Sequence, residues 1–308
     1  MKKFILSAAI LATLASCNYN NTIATNYEAI SFGNNFVDNN VRAAADPSYG
    51  AENQLNSFQV WGTVNGADNN PVAIFADDTV TGTVGANSIW SCTTNTQYWI
   101  VGAKYNFAAV VNADKVDGKS SVTLGTDLLP ATIAYTANGS TDLLYAKSIE
   151  YTGQTAGNNS KVAFTFEHLL SKVLIKVTNN SKNQSGYSFE VKNIKINAPK
   201  TNGSYNVVEK KWTATDGDYS FANIVVAQDA DAECDAEQLL IPGEATITFD
   251  VDIMVDGNDI TTKNYSHTTT LAAAHAYSFN IIVSTGEKID FTVTTNPTWT
   301  VEDTVTIQ

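Results

Sequence analysis

The chain has 308 residues and a formal net charge of −13 at pH 7, because 31 acidic residues outnumber 18 lysines and arginines. A surface this poor in basic residues argues against nucleic-acid binding, which requires Lys and Arg to neutralise phosphates. The length exceeds what one compact domain usually holds, so we expect two domains.

Residues 1–16 have the layout of a lipoprotein signal peptide. Two lysines precede an apolar stretch from Phe4 to Leu14, and small residues lead into Cys17. In such signals the cysteine thiol is lipidated and becomes the first residue of the mature protein. The apolar stretch is shorter than the roughly 20 residues of a membrane-spanning helix. We therefore predict lipidation of Cys17; the alternative is an ordinary secretory signal followed by a chance cysteine.

Residues 17–42 comprise a lipidated tether and a first strand. Residues 18–26 are polar and low in complexity, which is typical of a flexible tether. A strand-like piece follows from Tyr27 to Phe36, and small residues and a proline then indicate a loop. Arg42 lies at this loop and is the only arginine in the sequence.

Beyond this loop, apolar and polar residues alternate with period two, which is typical of many antiparallel strands with one buried face. The clearest run is Ala245 to Val255, where alternate apolar residues face the core and Asp250 and Asp252 face solvent. Comparable runs include Tyr105, Phe107, Ala109 and Val111, and also Tyr277, Phe279, Ile281 and Val283. Helical spacing is scarce, and the only short candidates are Ala51 to Phe58 and a turn from His168 to Lys172.

The predicted fold is all-β. The least structured interior stretch runs from Tyr151 to Ser160, so we place an N-terminal β-sandwich at residues 43–157 and a C-terminal β-sandwich at residues 158–308. Cys92 and Cys234 then lie in different domains. No disulfide is expected between them, because bridging requires α-carbons within about 7 Å.

The sequence contains no nucleophile elbow, phosphate loop or paired zinc-ligand spacing, so we expect neither an enzyme nor a cofactor or metal site. The three histidines are scattered, and His168 is interpreted as structural. Acidic residues between Asp229 and Glu237 are interpreted as a solvated loop, with calcium binding as the alternative. The five tryptophans are interpreted mainly as core residues, although a sugar-stacking platform is possible in an adhesin.

A stretch from Phe164 to Val177, FTFEHLLSKVLIKV, resembles a strand signature of the fimbrillin family of type V pilins. Other pieces agree in order along the chain. They are Ile30 to Gly33, Asp142 to Ala146, Leu240 to Pro242, Leu271 to Phe279 and Trp299. The resemblance therefore covers nearly the whole mature chain.

This resemblance implies two tandem transthyretin-like, Greek-key β-sandwiches and a bacterial surface role. Members of the family travel as lipoproteins to the outer membrane, where an arginine-specific protease removes an N-terminal strand. A strand from a neighbouring subunit then fills the groove that this removal opens. The implied partners are other copies of this chain or related pilins, the outer membrane and the protease.

Applied to this sequence, the family scheme predicts cleavage between Arg42 and Ala43. Loss of the strand from Ala29 to Val37 is expected to leave unpaired backbone groups and an apolar trough, which is an acceptor for another strand. The alternative is that Arg42 is an ordinary loop cation.

The donor strand is predicted within residues 298–308, where Val301, Val305 and Ile307 lie among threonines and acidic residues. The alternative is that this tail is the last strand of its own domain. The predicted function is a structural subunit of a surface fimbria. A membrane-retained or fibre-tip adhesin that binds glycans or proteins is the alternative.

Overall fold

The computed structural model describes residues 27–33, 36–37, 57–66, 70–82, 90–111, 120–137, 139–180, 187–197, 202–215, 217–227, 231–233, 238–255, 258–283 and 289–296. These residues form strands and turns, with no helix among them. They therefore include no helix long and apolar enough to span a membrane. The all-β prediction is confirmed.

The described ranges contain 21 strands. In chain order these are β1 (Phe36–Val37), β2 (Ser57–Asn65), β3 (Pro71–Thr81), β4 (Lys104–Val111), β5 (Ser120–Leu124), β6 (Pro130–Thr136), β7 (Leu144–Lys147), β8 (Tyr151–Thr152), β9 (Thr165–His168), β10 (Ser171–Asn179), β11 (Tyr187–Asn197), β12 (Asn202–Asn206), β13 (Lys211–Thr215), β14 (Asp218–Ser220), β15 (Ile224–Val226), β16 (Asp231–Glu233), β17 (Gln238–Leu240), β18 (Gly243–Val255), β19 (Asn258–Leu271), β20 (Ala276–Val283) and β21 (Ile289–Asn296).

The first sheet has the order β1-β9-β7-β4-β2-β3, with β8 also pairing with β4. Both of its faces are buried, as β4 illustrates. Phe107 and Ala109 contribute to one apolar core, whereas Ala108 and Val110 contribute to another. The sequence pattern correctly predicted that Phe107 and Ala109 are buried. It did not predict that the opposite face of β4 is also apolar and buried. This sheet is therefore the central layer of the N-terminal half.

A four-stranded sheet, β13-β12-β6-β5, covers one face of the central layer. Tyr205 of β12 lies opposite Ile133 of β6, and both belong to the core that they share with Trp61 and Val110. The other face is covered by segments outside the regular strands, which supply Trp90 and other core residues.

Two five-stranded sheets enclose a third core in the C-terminal half. One has the order β16-β10-β20-β21 with β17 beside β10, and the other has the order β14-β11-β18-β19 with β15 beside β11. Ile247, Phe249 and Val251 of β18 are buried in this core, as their alternation predicts. Phe279 of β20 faces them from the opposite sheet.

Asp252 departs from the prediction that it faces solvent, because it is buried at 2% exposure. Its carboxylate is ion-paired with Lys192 of β11 and accepts a hydrogen bond from the Thr262 hydroxyl at 2.6 Å. Burial acts to raise the pKa of Asp252, but the bonds from Lys192 and Thr262 outweigh burial and lower it. A partner on a neighbouring strand thus makes this burial tolerable.

Both short helix predictions are wrong where the structure describes them. Phe58 lies in β2, and the stretch from His168 to Lys172 joins the end of β9 to the start of β10. Residues 168–173 are all buried and the chain bends at Leu170, so this stretch connects two strands and forms no helical turn.

The domain boundary between residues 157 and 158 stays a prediction, and strands pair across its position. β9 hydrogen-bonds to β7, and the β12–β13 hairpin hydrogen-bonds to β6. The transthyretin-like character of each predicted sandwich also stays a prediction. Cys92 is a buried free thiol, whereas Cys234 lies outside the described residues.

Candidate functional site

Residues 27–33, which we call the leading segment, pair along one side with the stretch that follows Trp90. The amide of Phe32 donates to the carbonyl of Trp90 at 2.9 Å, and the amide of Trp90 donates back at 3.4 Å. The amide of Ile30 donates to the carbonyl of Gln97 at 2.8 Å. Two isolated antiparallel bridges, Ala29 with Tyr98 and Phe32 with Trp90, accompany these bonds outside the named strands.

The opposite side of the leading segment is hydrogen-bonded too. The amide of Gly33 donates to the carbonyl of Val162, and the amide of Val162 donates to the carbonyl of Ser31, both at 2.8 Å. The leading segment therefore occupies a groove between residues 90–99 and residues 157–162, which we call the groove.

The same edge of the protein continues into the first sheet. β1 pairs in parallel with β9, so that Phe36 lies opposite Thr165 and Val37 opposite Phe166. The pairing of Phe32 with Val162 is also parallel. Phe32 thus pairs with Val162, just before β9, and β1 pairs with β9 itself. Both of these pairing segments precede Arg42 in the chain.

Phe32 fills the apolar core beneath the groove. Its side chain is fully buried, and Ile30 beside it is 4% exposed. The ring centroid of Phe32 lies between 5.8 and 6.2 Å from those of Phe58, Phe75, Phe107 and Phe164. Burial of one large aromatic side chain stabilises a fold by about 1.5–3 kcal/mol, and favourable ring pairs add to this. The leading segment is therefore part of the core.

Glu28 attaches the leading segment to the loop at the end of the groove. Its Oε2 accepts hydrogen bonds from the Asn159 side chain at 2.7 Å and from the Gly157 amide at 2.8 Å. These two bonds, the Asn159 side chain first, lower the pKa of Glu28 below its ordinary value. Gly157 has a φ of +87°, in the left-handed region that glycine adopts at little cost.

A second polar cluster joins the two halves of the chain. His168 Nδ1 lies 2.6 Å from Asp142 Oδ2, and both side chains are buried. The other oxygen of Asp142 accepts a hydrogen bond from the amide of Leu143 at 2.8 Å. The pair connects the residues just before β7 to the end of β9 inside the protein, which fits a structural role for His168.

Immediately after His168, the chain is bound to the C-terminal half. The hydroxyl of Ser171 donates to the carbonyl of Ala272 at 2.8 Å, and the amide of Lys172 donates to the carbonyl of His275 at 2.9 Å. Leu240 lies opposite Ser171 in the pairing of β10 with β17. The separate motifs singled out in the sequence therefore meet in space.

A comparison with known protein families identifies the family of this chain. The model of the fimbrillin-like family matches residues 42–299, most of the chain. The chain belongs to the fimbrillin-like family. No curated protein has a sequence that matches it significantly.

Solved structures share the fold of this fimbrillin-like chain. A fimbrial protein from Bacteroides vulgatus is 16% identical, with a TM-score of 0.56 over 79% of this chain and 93% of that one. A candidate cell adhesion protein from Bacteroides ovatus is 21% identical, with a TM-score of 0.54 over 90% of this chain and 99% of that one. At these identities the likeness concerns the fold alone.

Most of the site residues predicted from the sequence lie outside the described residues of the fimbrillin-like chain. They are Cys17, Arg42, Ala43, Val301, Val305 and Ile307, and Trp299 lies outside as well. Lipidation, cleavage and strand donation at these positions stay predictions. The described residues do include the groove and the leading segment within it.

Three of the predicted core tryptophans are confirmed. Trp61, Trp90 and Trp99 are each less than 5% exposed. Trp212 is half-buried, and its indole Nε1 donates to the carbonyl of Leu169 at 2.9 Å. Among the residues in the described ranges, no group of three or more His, Cys, Asp or Glu side chains is arranged to hold a metal ion.

A cleft of about 370 Å³ opens between the central sheet and the four-stranded sheet. It is lined by Thr63, Asn65, Pro71, Asn106, Thr126, Asp127, Leu129 and Lys147. Asp127 and Lys147 form an exposed ion pair at 3.7 Å across it. Nearby, burial raises the pKa of Tyr145 to about 12, and the charge of Asp127 adds to the effect.

Sequence reasoning identified the stretch containing Ile30 and Phe32 but missed Glu28 and the loop that binds it. The side chains of Glu28 and Asn159 are separated by 131 positions. A local sequence pattern does not predict such a contact, because a glutamate at the start of a strand is usually solvated.

Proposed function

We propose that this fimbrillin-like protein is a structural subunit of a cell-surface fimbria, exported as a lipoprotein on Cys17. Cleavage between Arg42 and Ala43 would separate the lipid and the leading segment from the rest of the subunit. A strand from another subunit would then occupy the groove. Family membership supports the fimbrial role, and assembly with related subunits follows from that role.

One observation carries this proposal, namely that the leading segment is hydrogen-bonded on both sides yet precedes Arg42 in the chain. Removal of the leading segment would leave backbone groups of Trp90, Gln97 and Val162 without their hydrogen-bond partners. Unpaired buried backbone groups are costly, so the open groove would favour any strand that restores these bonds.

The side chains of the leading segment favour replacement by another apolar strand. Departure of Phe32 would leave a space surrounded by four aromatic rings, and a void of this kind is unfavourable in a packed core. A donor strand with apolar residues at alternate positions would fill it. The tail from Val301 to Ile307 has apolar residues of this kind, and we assign it as the donor.

The proposal involves no catalysis by this chain. The buried pair of Asp142, just before β7, and His168, at the end of β9, is assigned a structural role. The expected partners are copies of this chain or related fimbrial subunits, an arginine-specific protease and the outer membrane that receives the lipid.

The proposal is tested by replacing Arg42 with Ala or Lys in cells that assemble the fibre. Both variants are expected to retain the N-terminal lipid, to start at Cys17 and to lose fibres in electron micrographs. Arg42→Lys is the matched control for charge, because it preserves the cation but removes the arginine. Fibres formed by Arg42→Lys and lost in Arg42→Ala would indicate a loop cation and overturn cleavage.

A second candidate function is a lipid-anchored surface adhesin. The polar cleft beside Asp127 favours it, because such a cleft offers a place to bind a ligand. A surface protein that starts at lipidated Cys17 and migrates as a single band in mild detergent without boiling would support the adhesin. A start at Ala43 with a ladder of oligomers would support the fimbrial subunit.

A further inference from the structure

Four exposed apolar side chains occur where the described chain begins: Tyr27 contacts Tyr98, and Ile100 and Val101 follow Tyr98 closely in the chain. Tyr27, Tyr98, Ile100 and Val101, which we call the tether-side patch, are 50%, 49%, 45% and 64% exposed. The rings of Tyr27 and Tyr98 are 6.2 Å apart between centroids. Isolated exposed apolar residues are common, but a cluster of this kind usually indicates a binding surface.

We propose that the tether-side patch docks on the membrane that holds the lipid, before the subunit is processed. This inference rests on the proposed lipidation of Cys17. Its occupant is a lipid surface, recognised by tyrosine rings at the level of the headgroups and by aliphatic side chains beneath them.

The length of the tether supports this occupant. Ten residue steps separate Cys17 from Tyr27, so a fully extended chain spans at most about 36 Å. Because Tyr27 belongs to the patch, the patch cannot be far from the bilayer while the lipid is inserted. Such tethering gives a high effective concentration, and a weak apolar contact then suffices for docking.

The backbone holds the patch in a fixed shape. The amide of Ala103 donates to the carbonyl of Ile100 at 3.1 Å, and the amide of Gly102 donates to the carbonyl of Gly153 at 2.8 Å. The turn from Ile100 to Ala103 is thereby bound to a neighbouring loop. Little conformational entropy remains to be lost when the patch meets a surface.

The charges around the patch bear on which lipids it would meet. The chain carries a net charge of −13, which opposes contact with anionic lipids. Next to the patch, Glu150 is ion-paired with Lys104 at 2.8 Å, and the Glu28 carboxylate is directed to Gly157 and Asn159. Lys104 offsets the charge of Glu150, whereas Glu28 keeps its charge because its partners are neutral, so zwitterionic headgroups suit this face better than anionic ones.

Lipid-dependent quenching tests the proposal on the full chain. An environment-sensitive dye is attached to Val101→Cys in a chain carrying Cys92→Ser, Cys234→Ser and Arg42→Ala, purified with its lipid. The matched control carries the dye at Val208→Cys, an 82% exposed valine in the turn between β12 and β13. Both proteins are inserted into phosphatidylethanolamine and phosphatidylglycerol vesicles that contain nitroxide-labelled lipid.

We expect quenching at position 101 to exceed quenching at position 208 by at least about threefold, because only the patch reaches the headgroups. Adding Ile100→Asp should abolish the difference while the protein still floats with the vesicles. Equal quenching at the two positions would overturn the proposal. Protection of position 101 that persists in detergent and rises with protein concentration would assign the patch to a second copy and would also overturn it.

If Cys17 carries no lipid, the experiment gives a different result. In that case the unlabelled parent chain does not float with vesicles at all, and no comparison between positions 101 and 208 is required. Flotation with equal quenching leaves the lipid anchor and the fimbrial role intact but removes the docking surface.

Discussion

The ring of Phe32 stacks on the ring of Phe164, with centroids 5.9 Å apart and 14° between their planes. Phe32 precedes Arg42 in the chain, whereas Phe164 begins the stretch that resembles the family strand signature. Cleavage after Arg42 would therefore separate two residues that share one core, and the stability of the subunit would come to depend on what replaces Phe32.

We predict that Phe32→Ala lowers the free energy of unfolding of the uncleaved chain by about 3–5 kcal/mol, because it leaves a cavity among aromatic rings. Urea denaturation of the Arg42→Ala protein measures this loss. Tyr27→Ala is the matched control in the same segment, and its exposed ring should cost less than about 1 kcal/mol. Equal losses in the two variants would contradict a core role for the leading segment.

The stability that Glu28 contributes by attaching the leading segment is expected to depend on pH. Its pKa is lowered in the folded state, so its contribution to stability is complete above the ordinary pKa of 4.5 and is lost as pH falls through the folded value. Glu28→Gln should therefore destabilise the protein at neutral pH, by on the order of 1 kcal/mol for a partly solvated group.

Unfolding measured at several pH values checks this expectation. The difference between wild type and Glu28→Gln should shrink as pH falls from 4.5 through the lower pKa of the folded state, because the unfolded chain takes up its proton first. Glu209→Gln, at an exposed position in the turn between β12 and β13, serves as the control for the loss of one negative charge. A difference that stays constant with pH would exclude the carboxylate as the relevant group.

The buried pair of Asp142 and His168 is predicted to be essential for stability. Asp142→Ala should lower the free energy of unfolding by about 1–3 kcal/mol for each buried group that loses its hydrogen bond, namely the His168 ring and the Leu143 amide. Asp127→Ala removes a carboxylate from an exposed ion pair with Lys147 and should cost about 1 kcal/mol or less. Similar losses in these two variants, measured by urea denaturation, would disprove the assignment of His168 as a structural residue.

Local alternation predicted the strands well where one face of a sheet is buried. In β18 the side chains of Ile247, Phe249 and Val251 enter the core as expected, because a shift by one residue would expose all of them. The same reasoning failed for Asp252, whose partner Lys192 lies on another strand. A period-two pattern contains no information about what the neighbouring strand supplies.

The candidate site was predictable only in part, for the same reason. Phe32 is conspicuous as an apolar residue in a short strand-like piece, and its burial followed. The pairing of that piece with Trp90 on one side and Val162 on the other could not be inferred, because both contacts are remote in sequence. The pairing of β12 with β6 across the predicted domain boundary is similarly non-local.

Cys92 offers a direct measure of whether cleavage opens the groove. Its thiol is 5% exposed and belongs to the same core as Ile30 and Phe32. In a Cys234→Ser background we expect maleimide to label Cys92 at least about tenfold faster once residues 17–42 have been removed, because thiol reactivity requires access. Val208→Cys, measured in a Cys92→Ser, Cys234→Ser background, is the exposed control and should react equally fast in both forms. An unchanged rate at Cys92 in the dilute cleaved monomer would mean that the core closes over the vacated groove, and strand exchange would then lack its acceptor.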